Sequence, residues 1–581
     1  MLNLIYKIKK IYNKYKIKNN IKDKIKILYN KNNKYGDITI ILSNNIYNYD
    51  IIDNLLSKIN KYILNYEIKK NYLNIYLNNY YYIKIINKFL IYKYNIYKIY
   101  NIKKNNKIII IDYSSPNSNK PLHIGHLRNI LIGNTLSNIF KYLGFKVIKS
   151  QIINDRGIHI CKSIISWKLY YNCLKPNLNK IKGDHFVGKL YFKFEKELKK
   201  EINIISKKYK IDKIRAKKKS KLLKKVKNEL IKWENNNKKS ILLWKKINSW
   251  VYKGFKKTYK KLNIKFNETL YESKTYILGK NKIKEGIKNK IFLIDKNKYI
   301  YYLLNKKYKI ILLRSDGTSL YITQEIGTLL YRLKKYKKIY LLIYVVGNEQ
   351  SFHFKVLFNI IKILKLPIKN KNIHHLSYNT VNILGKKIKS REGKNIIFID
   401  NLITIMYKYV KNKFSNIKNK KILKNISIST IKYQFLKIKY NKIINFNFKN
   451  ILNLTGNTSL YIHYTYVRIY SIFKKNKNNK IFLIKKKYIY KYLIKRNEKD
   501  IIIDIIKYHE ILKKSAKDFD TSILINYIFL LSKKINNFYN KNKVLSNNKY
   551  KKNIRLNICK IILNILYNTM KILNIPIINK I

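Results

Sequence analysis

The sequence predicts an α/β protein: a doubly wound core with a long helical insertion, a small α+β domain before it and an all-α bundle after it. Three observations predict this. A buried-strand run, a loop with two prolines and a helical period follow one another from Ile108 to Leu143. The same strand–loop–helix order returns at Ile339 to Leu364, and beyond Thr455 turn signals nearly vanish while apolar spacing stays helical. Alternating strands and helices make a parallel sheet, whereas unbroken helical periods make a bundle.

Before the core, the runs Asp37–Ile41 and Tyr72–Tyr76 read as short strands among helical stretches. In the first core unit Ile108 to Ile111 form the strand, and Pro116 and Pro121 mark the loop. Leu127, Ile130, Leu131, Phe140 and Leu143 carry the helix, with Gly144 where a C-terminal cap belongs. Phe145 to Ile153 is the second strand. Residues from about 200 to 262 hold Trp233, Trp244 and Trp250 in Lys-rich helices that cover a flank. Ile339 to Val346 is the next strand; Gly347-Asn348-Glu349-Gln350 is its loop, and Val356, Ile360 and Leu364 give the helix. The expected domains are 1–105, 106–400 with an insertion at about 155–265, a connecting helical region at 401–454, and the bundle at 455–581.

The 581 residues exceed what one core usually serves, and the formal net charge is +98. Such charge ordinarily announces a nucleic-acid partner. Here Lys, Asn, Ile and Tyr crowd every region and Ala nearly disappears, leaving Ala216 and Ala516. Charge spread this evenly reads as drift toward A/T-rich codons more than as a phosphate-binding face, so clusters of Gly, Pro, His, Asp, Glu, Ser or Arg carry the information. Cys161, Cys173 and Cys559 form no CxxC pair or Cys/His ladder, which excludes a disulfide framework and predicts no structural zinc and no metal site. Lysines interrupt the N-terminus too often for a secretory leader, and no apolar run reaches a membrane span. A soluble, cytoplasmic monomer without a membrane partner is expected.

The densest informative cluster is Pro116 to His126, with His123 and His126 flanking Gly125 at the start of a helix. A helix N-terminus offers free N–H donors and a favourable dipole to phosphate, and imidazoles add donors as negative charge builds. Gly125 leaves bare backbone against which a flat base could pack. The stretch SSPNSNKPLHIGHLRN resembles the signature region of class I aminoacyl-tRNA synthetases in their arginyl form. That resemblance implies a Rossmann-type catalytic domain, ATP and L-arginine as substrates with Mg²⁺ accompanying the phosphates, tRNA(Arg) as partner, and a helical anticodon-binding domain at the C-terminus.

It further implies that His123 and His126 stabilise the ATP phosphates in the transition state, with Pro116, Asn117 and Gly125 in the nucleotide site. Lys386 to Gly393 resembles the arginyl version of the second class I signature, which assigns Lys387, Lys389, Ser390 and Arg391 to ATP. In the arginyl family a lysine before the first signature substitutes for a missing loop lysine; here that is Lys120. Glu272 in Tyr271-Glu272-Ser273, and Tyr321 and Glu325 after Arg314-Ser315-Asp316-Gly317-Thr318-Ser319, resemble the arginine-binding positions, together with Gln350 and Asn117. Tyr321 and Glu325 stand one helical turn apart, on one face. Glu325 departs from the family's usual Asp by one methylene. Tyr461 and Tyr464, in Gly456 to Tyr464, are candidate tRNA-stacking residues. Asn154 to His159 and Gly183 to Lys189 resemble arginyl sequences without an assigned role, and Tyr35 to Thr39 faintly resembles the appended domain that meets the tRNA elbow. The alternatives are a catalytically weakened synthetase-like tRNA-binding protein and a class I synthetase of different amino-acid specificity.

Overall fold

The computed structural model describes residues 4–18, 25–30, 35–42, 49–172, 174–176, 181–304, 308–315, 317–369, 372–383, 386–387, 397–448, 451–475, 482–485, 489, 491–492 and 494–579. Two compact units divide the chain: one is 105–451, the other joins 1–104 to 452–581.

The first unit is built on a five-stranded parallel sheet. Its strands are β1 (Asn105–Asp112), β2 (Phe145–Ile153), β3 (Glu268–Tyr271), β4 (Ile339–Gly347) and β5 (Ile373–Tyr378), in spatial order β5-β4-β1-β2-β3. Central strands of a parallel sheet are covered on both faces, so they need unbroken apolar runs. Ile109 to Ile111 of β1 and Leu342 to Val345 of β4 meet that need and are buried. Helix α1 (Ile124–Tyr142) returns the chain from β1 to β2 and ends at Leu143, with Gly144 following at φ 92°, a conformation glycine adopts without strain. Strand order reverses between β1 and β4, and such a switch point opens a crevice beyond the carboxyl ends of the strands. The loop 113–123 and the turn Asn348–Gln350 both leave the sheet there.

Between β2 and β3 run helices Ile158–Tyr170, Gly183–Lys208, Lys213–Lys218, Lys221–Glu234 and Lys238–Lys261. Trp233 packs on Trp244, and Trp250 on Trp167, so the tryptophans knit the insertion together. Between β3 and β4 lie α2 (Glu272–Lys288), a three-stranded antiparallel sheet from Leu293 to Leu313, and α3 (Tyr321–Lys335). Helix α4 (Ser351–Ile363) leads from β4 to β5. The sequence reading set 401–454 apart as a connector, but 401–451 belongs to this unit. Strand Ile444–Phe446 pairs in parallel with Val381–Ile383, a long-range pairing with no local sequence signature.

In the second unit an antiparallel sheet of Lys26–Tyr29, Ile38–Ile41, Tyr72–Leu77 and Ile63–Lys69 joins a bundle of α5 (Ser459–Lys475), α6 (Arg496–Lys517), α7 (Ser522–Lys541) and α8 (Lys549–Ile572). The sequence separates these two parts by the whole core. Buried Asp37 unites them, accepting from the Leu77 N–H at 2.7 Å and pairing with Arg496. Among the described residues no helix is long and apolar enough to cross a membrane.

Candidate active site

The loop after β1 is held to the sheet by backbone bonds. Asn154 N–H donates to the Pro116 carbonyl and Ser118 N–H to the Asn154 carbonyl, each at 3.0 Å, and Asn154 Nδ2 donates to Asn117 Oδ1 at 3.2 Å. Asn129, one turn into α1, accepts from the Ser114 N–H at 2.6 Å and donates to the Val345 carbonyl, fixing loop, helix and β4 together. Pro116 is buried and Asn117 half-buried at the rim of the crevice.

His123 caps α1. Its Nδ1 accepts the Gly125 N–H, and the His126 Nδ1 accepts the His123 N–H, both at 3.1 Å. The rings lie 3.9 Å apart, centroid to centroid. With Nδ1 accepting, the neutral ring carries its proton on Nε2, so each imidazole keeps one N–H donor. Burial lowers the His123 pKa to about 3, with the Lys120 charge adding, and takes His126 well below its ordinary value, with His123 and Lys120 adding. Both rings are therefore neutral donors at neutral pH. A Cβ on Gly125 would sit 3.0 Å from the His123 ring, so glycine makes room for the imidazole at this turn.

A second group gathers beside this loop. Asn117, Ser118, Asn119, Asn154, Arg156, Glu272 and Tyr321 line one crevice. Glu272 is buried at the start of α2, and burial pushes its carboxyl up to about 8; Arg156 opposes the rise, while Asp155 and Glu325 add to it. Glu325 on α3 is pushed up to about 7 by burial, with Asp112 adding and Arg332 opposing, and its buried Oε2 has no hydrogen-bond partner. Tyr321 is exposed at the mouth of α3, and Gln350 is exposed at the end of β4. The structure thus groups Asn117, Glu272 and Tyr321 around one crevice, with Glu325 acting electrostatically on Glu272.

Helices α2 and α3 can bring these acids together because they touch backbone to backbone. A Cβ on Gly279 would lie 1.9 Å from the Thr323 carbonyl oxygen, and one on Gly327 would lie 2.2 Å from that of Thr275. Sequence reasoning passed over both glycines. Their signal was rarity, since the whole chain keeps 16.

It also left Asn154 to His159 without a role. Asp155 accepts from Tyr252 and Ser273 hydroxyls at 2.8 Å and from the Ser273 N–H at 3.0 Å, which seats the start of α2. Arg156 donates to Ser319 Oγ at 2.7 Å and to Glu234 at 2.6 Å, and stacks on Tyr276, tying the segment before α3 to the insertion. Beneath them Arg332 pairs with Asp112 at 2.5 Å, both buried.

Lys387 lies on the short strand Lys386–Lys387. Lys389, Ser390 and Arg391 fall outside the described residues, as does Cys173. In the second unit Tyr464 is exposed with Arg468 over its ring, while Tyr461 packs on Phe529. Among the described residues Asp184, His185 and Asp400 could in principle group about a cation, but Lys182 and Lys261 already place their ammonium groups 2.5 and 2.7 Å from Asp400.

The chain matches the model of the class I tRNA synthetase (R) catalytic domain over residues 86–450 and that of the DALR anticodon binding domain over 462–581. The arginine–tRNA ligase of Borrelia turicatae is 36% identical to it, covering 99% of this chain and 98% of the relative. That of Flavobacterium psychrophilum is 35% identical over 83% of this chain and 80% of its own. Among solved structures, Thermus thermophilus arginyl-tRNA synthetase superposes with a TM-score of 0.75 at 16% identity, covering 99% of this chain and all of that one. The Plasmodium falciparum enzyme superposes with a TM-score of 0.75 at 24% identity, covering 99% of both chains. At those identities the superpositions speak to the fold. The curated relatives and the catalytic-domain match carry the classification: this chain belongs to the arginyl-tRNA synthetase family of class I aminoacyl-tRNA synthetases.

Proposed function

We propose that the chain ligates L-arginine to tRNA(Arg), activating the amino acid as arginyl-adenylate and giving arginyl-tRNA, AMP and diphosphate. The observation that carries this reading is the pair Glu272 and Glu325. Two buried acids raised toward neutrality, one with an unpartnered oxygen, are a site short of positive charge. A guanidinium supplies that charge, together with forked donors that match carboxylates. The crevice opens beside Asn117, in the same loop as the histidine pair, so a bound arginine carboxylate would lie near a nucleotide held at the α1 N-terminus.

In this reading the arginine carboxylate attacks the α-phosphate of ATP and diphosphate leaves. No covalent enzyme intermediate is needed, so catalysis is positioning plus charge stabilisation. The Nε2–H donors of His123 and His126 and the charge of Lys120 stabilise the developing negative charge, while Pro116, Asn117 and Gly125 shape the nucleotide seat. Lys387, Lys389, Ser390 and Arg391 serve the ATP phosphates by family resemblance. Tyr321 and Gln350 complete the amino-acid site, and Tyr461 and Tyr464 serve the tRNA. Mg²⁺ travels with the ATP phosphates and is held chiefly by them. A cytoplasmic monomer is the form proposed.

The test is ATP–diphosphate exchange in the presence of tRNA with each amino acid in turn. Exchange with arginine is expected; exchange with none, or with another amino acid alone, would overturn the reading.

A further inference from the structure

The segment Gly183 to Lys189 and the residue Asp400 are not used by the chemistry above, yet they converge on it. Asp400 stands in the first turn of helix Ile399–Lys413 and accepts from four side chains. These are Lys182 Nζ at 2.5 Å, Lys261 Nζ at 2.7 Å, Thr258 Oγ1 at 3.0 Å and His185 Nε2 at 3.3 Å. Burial alone would raise its pKa, but the hydrogen bonds from His185, Lys182 and Lys261 hold it far below the carboxylate range. The donors come from two helices of the insertion, and Lys182 also lies 3.1 Å from Asp184, a fully buried carboxylate.

What this hub holds in place is the backbone of His123. Ile399 N–H donates to the Leu122 carbonyl at 2.9 Å and Ile124 N–H to the Ile397 carbonyl at 3.1 Å, so His123 and Phe398 face each other as an antiparallel bridge. The His185 ring also packs edge-on against Phe398 at 5.3 Å. The same insertion helix presses on the other side of the loop: a Cβ on Gly188 would lie 2.6 Å from Pro121 Cδ. His123 is thus gripped through Phe398 on one side and Pro121 on the other, and both grips originate in 182–188.

We propose that Asp400 is a positioning residue for the histidine pair, setting the register of the Leu122–Ile124 backbone and hence the aim of the two imidazole donors. The hub's bonds run to the insertion helices and, through Ile397 and Ile399, to the Leu122–Ile124 backbone, so its effect falls on the chemical step more than on substrate binding. A group misplaced by a fraction of an ångström loses transition-state stabilisation before it loses affinity. The proposal rests on the adenylate-forming role of His123 and His126.

The test compares wild type, D400N, T258V and K261M in arginine-dependent ATP–diphosphate exchange, with histidine ¹⁵N spectra of the same proteins at neutral pH. D400N keeps the shape and removes the charge that gathers the Lys182 and Lys261 ammonium groups with the His185 and Thr258 donors. It is expected to lower kcat about tenfold or more while KM for ATP and arginine stays within about twofold, and to shift the His123 and His126 ring resonances. T258V and K261M each remove one donor and give smaller kcat losses in the same direction; they decide the matter should D400N fail to fold. Wild-type kcat with unmoved resonances in the folded variants, or equal rises in KM and falls in kcat/KM with kcat intact, overturns the positioning role. A wild type that shows no arginine-dependent exchange overturns the functional reading instead.

Discussion

The imidazole of His126 accepts the backbone N–H of His123, while the imidazole of His123 accepts that of Gly125, so one helix turn fixes the tautomer of both rings. Replacing either by Ala removes an Nε2–H donor. For His126→Ala, arginine-dependent exchange should fall by about 10²- to 10³-fold, the usual effect of losing one oxyanion donor, with tRNA binding unchanged. Filter-binding and exchange assays on the same preparation check this; full-rate exchange sinks the assignment.

Because both rings are held neutral, the native state binds fewer protons than the unfolded chain once pH drops below the ordinary histidine value. The pair's contribution to stability therefore falls as pH is lowered from about 7 to 5, against an opposite contribution from Glu272 and Glu325, whose raised pKa values favour the native state as pH falls. The denaturant midpoint of wild type measured against that of His123→Gln should decline across that range, since the acids are common to both proteins. An equal slope in the two proteins refutes the linkage.

Glu272 and Glu325 are raised to about 8 and about 7, so they lose charge within the physiological range as pH falls. Arginine is cationic throughout and prefers the ionised acids, so KM for arginine should rise as pH drops from 8.5 to 6. KM for ATP should change little. Glu325→Gln should raise KM for arginine by about 10-fold or more, the scale of one charge-assisted hydrogen bond, and flatten its pH dependence. A KM for arginine that is flat in the wild type between those pH values contradicts the role of the pair.

Gly327→Ala pushes a methyl into the Thr275 carbonyl of α2. Overpacking of this kind costs about 1–3 kcal/mol. It also moves α3 away from α2, and with it Glu325 from Glu272. Chemical denaturation should show the loss and kinetics a raised KM for arginine; wild-type values of both would show that the helices can part without consequence.

Arg332→Met strands the buried Asp112 carboxylate. Removing one partner of a buried pair typically costs about 3–5 kcal/mol, whereas the double change Asp112→Asn with Arg332→Met should recover much of it. A double-mutant cycle in urea measures the coupling; additive losses would mean the two side chains do not support one another.

The alternation of strands and helices was legible because burial on both faces of a parallel sheet demands continuous apolar runs, which Ile109 to Ile111 and Leu342 to Val345 display in a chain crowded with Lys and Asn. The first signature was legible because His, Gly and Pro survive there in a cluster. The roles of Asp155, Arg156 and Asp400 were not. Each acts through partners more than 70 positions away, such as Glu234 for Arg156 and Lys261 for Asp400, and no local pattern marks such pairs.

By itself, then, the sequence determined the α/β core and the strand-to-helix placement of His123 and His126, because these depend on local periodicity and on residue chemistry, while the residues proposed for arginine came from resemblance to the arginyl family. Tertiary structure alone decided that 401–451 joins the core, that the N-terminal sheet and the C-terminal bundle form one unit, and that Gly279 and Gly327 let two helices meet at backbone distance. It also decided the ionisation of Glu272 and Glu325. A carboxylate's pKa is set by what surrounds it, and those surroundings exist only once the chain has packed.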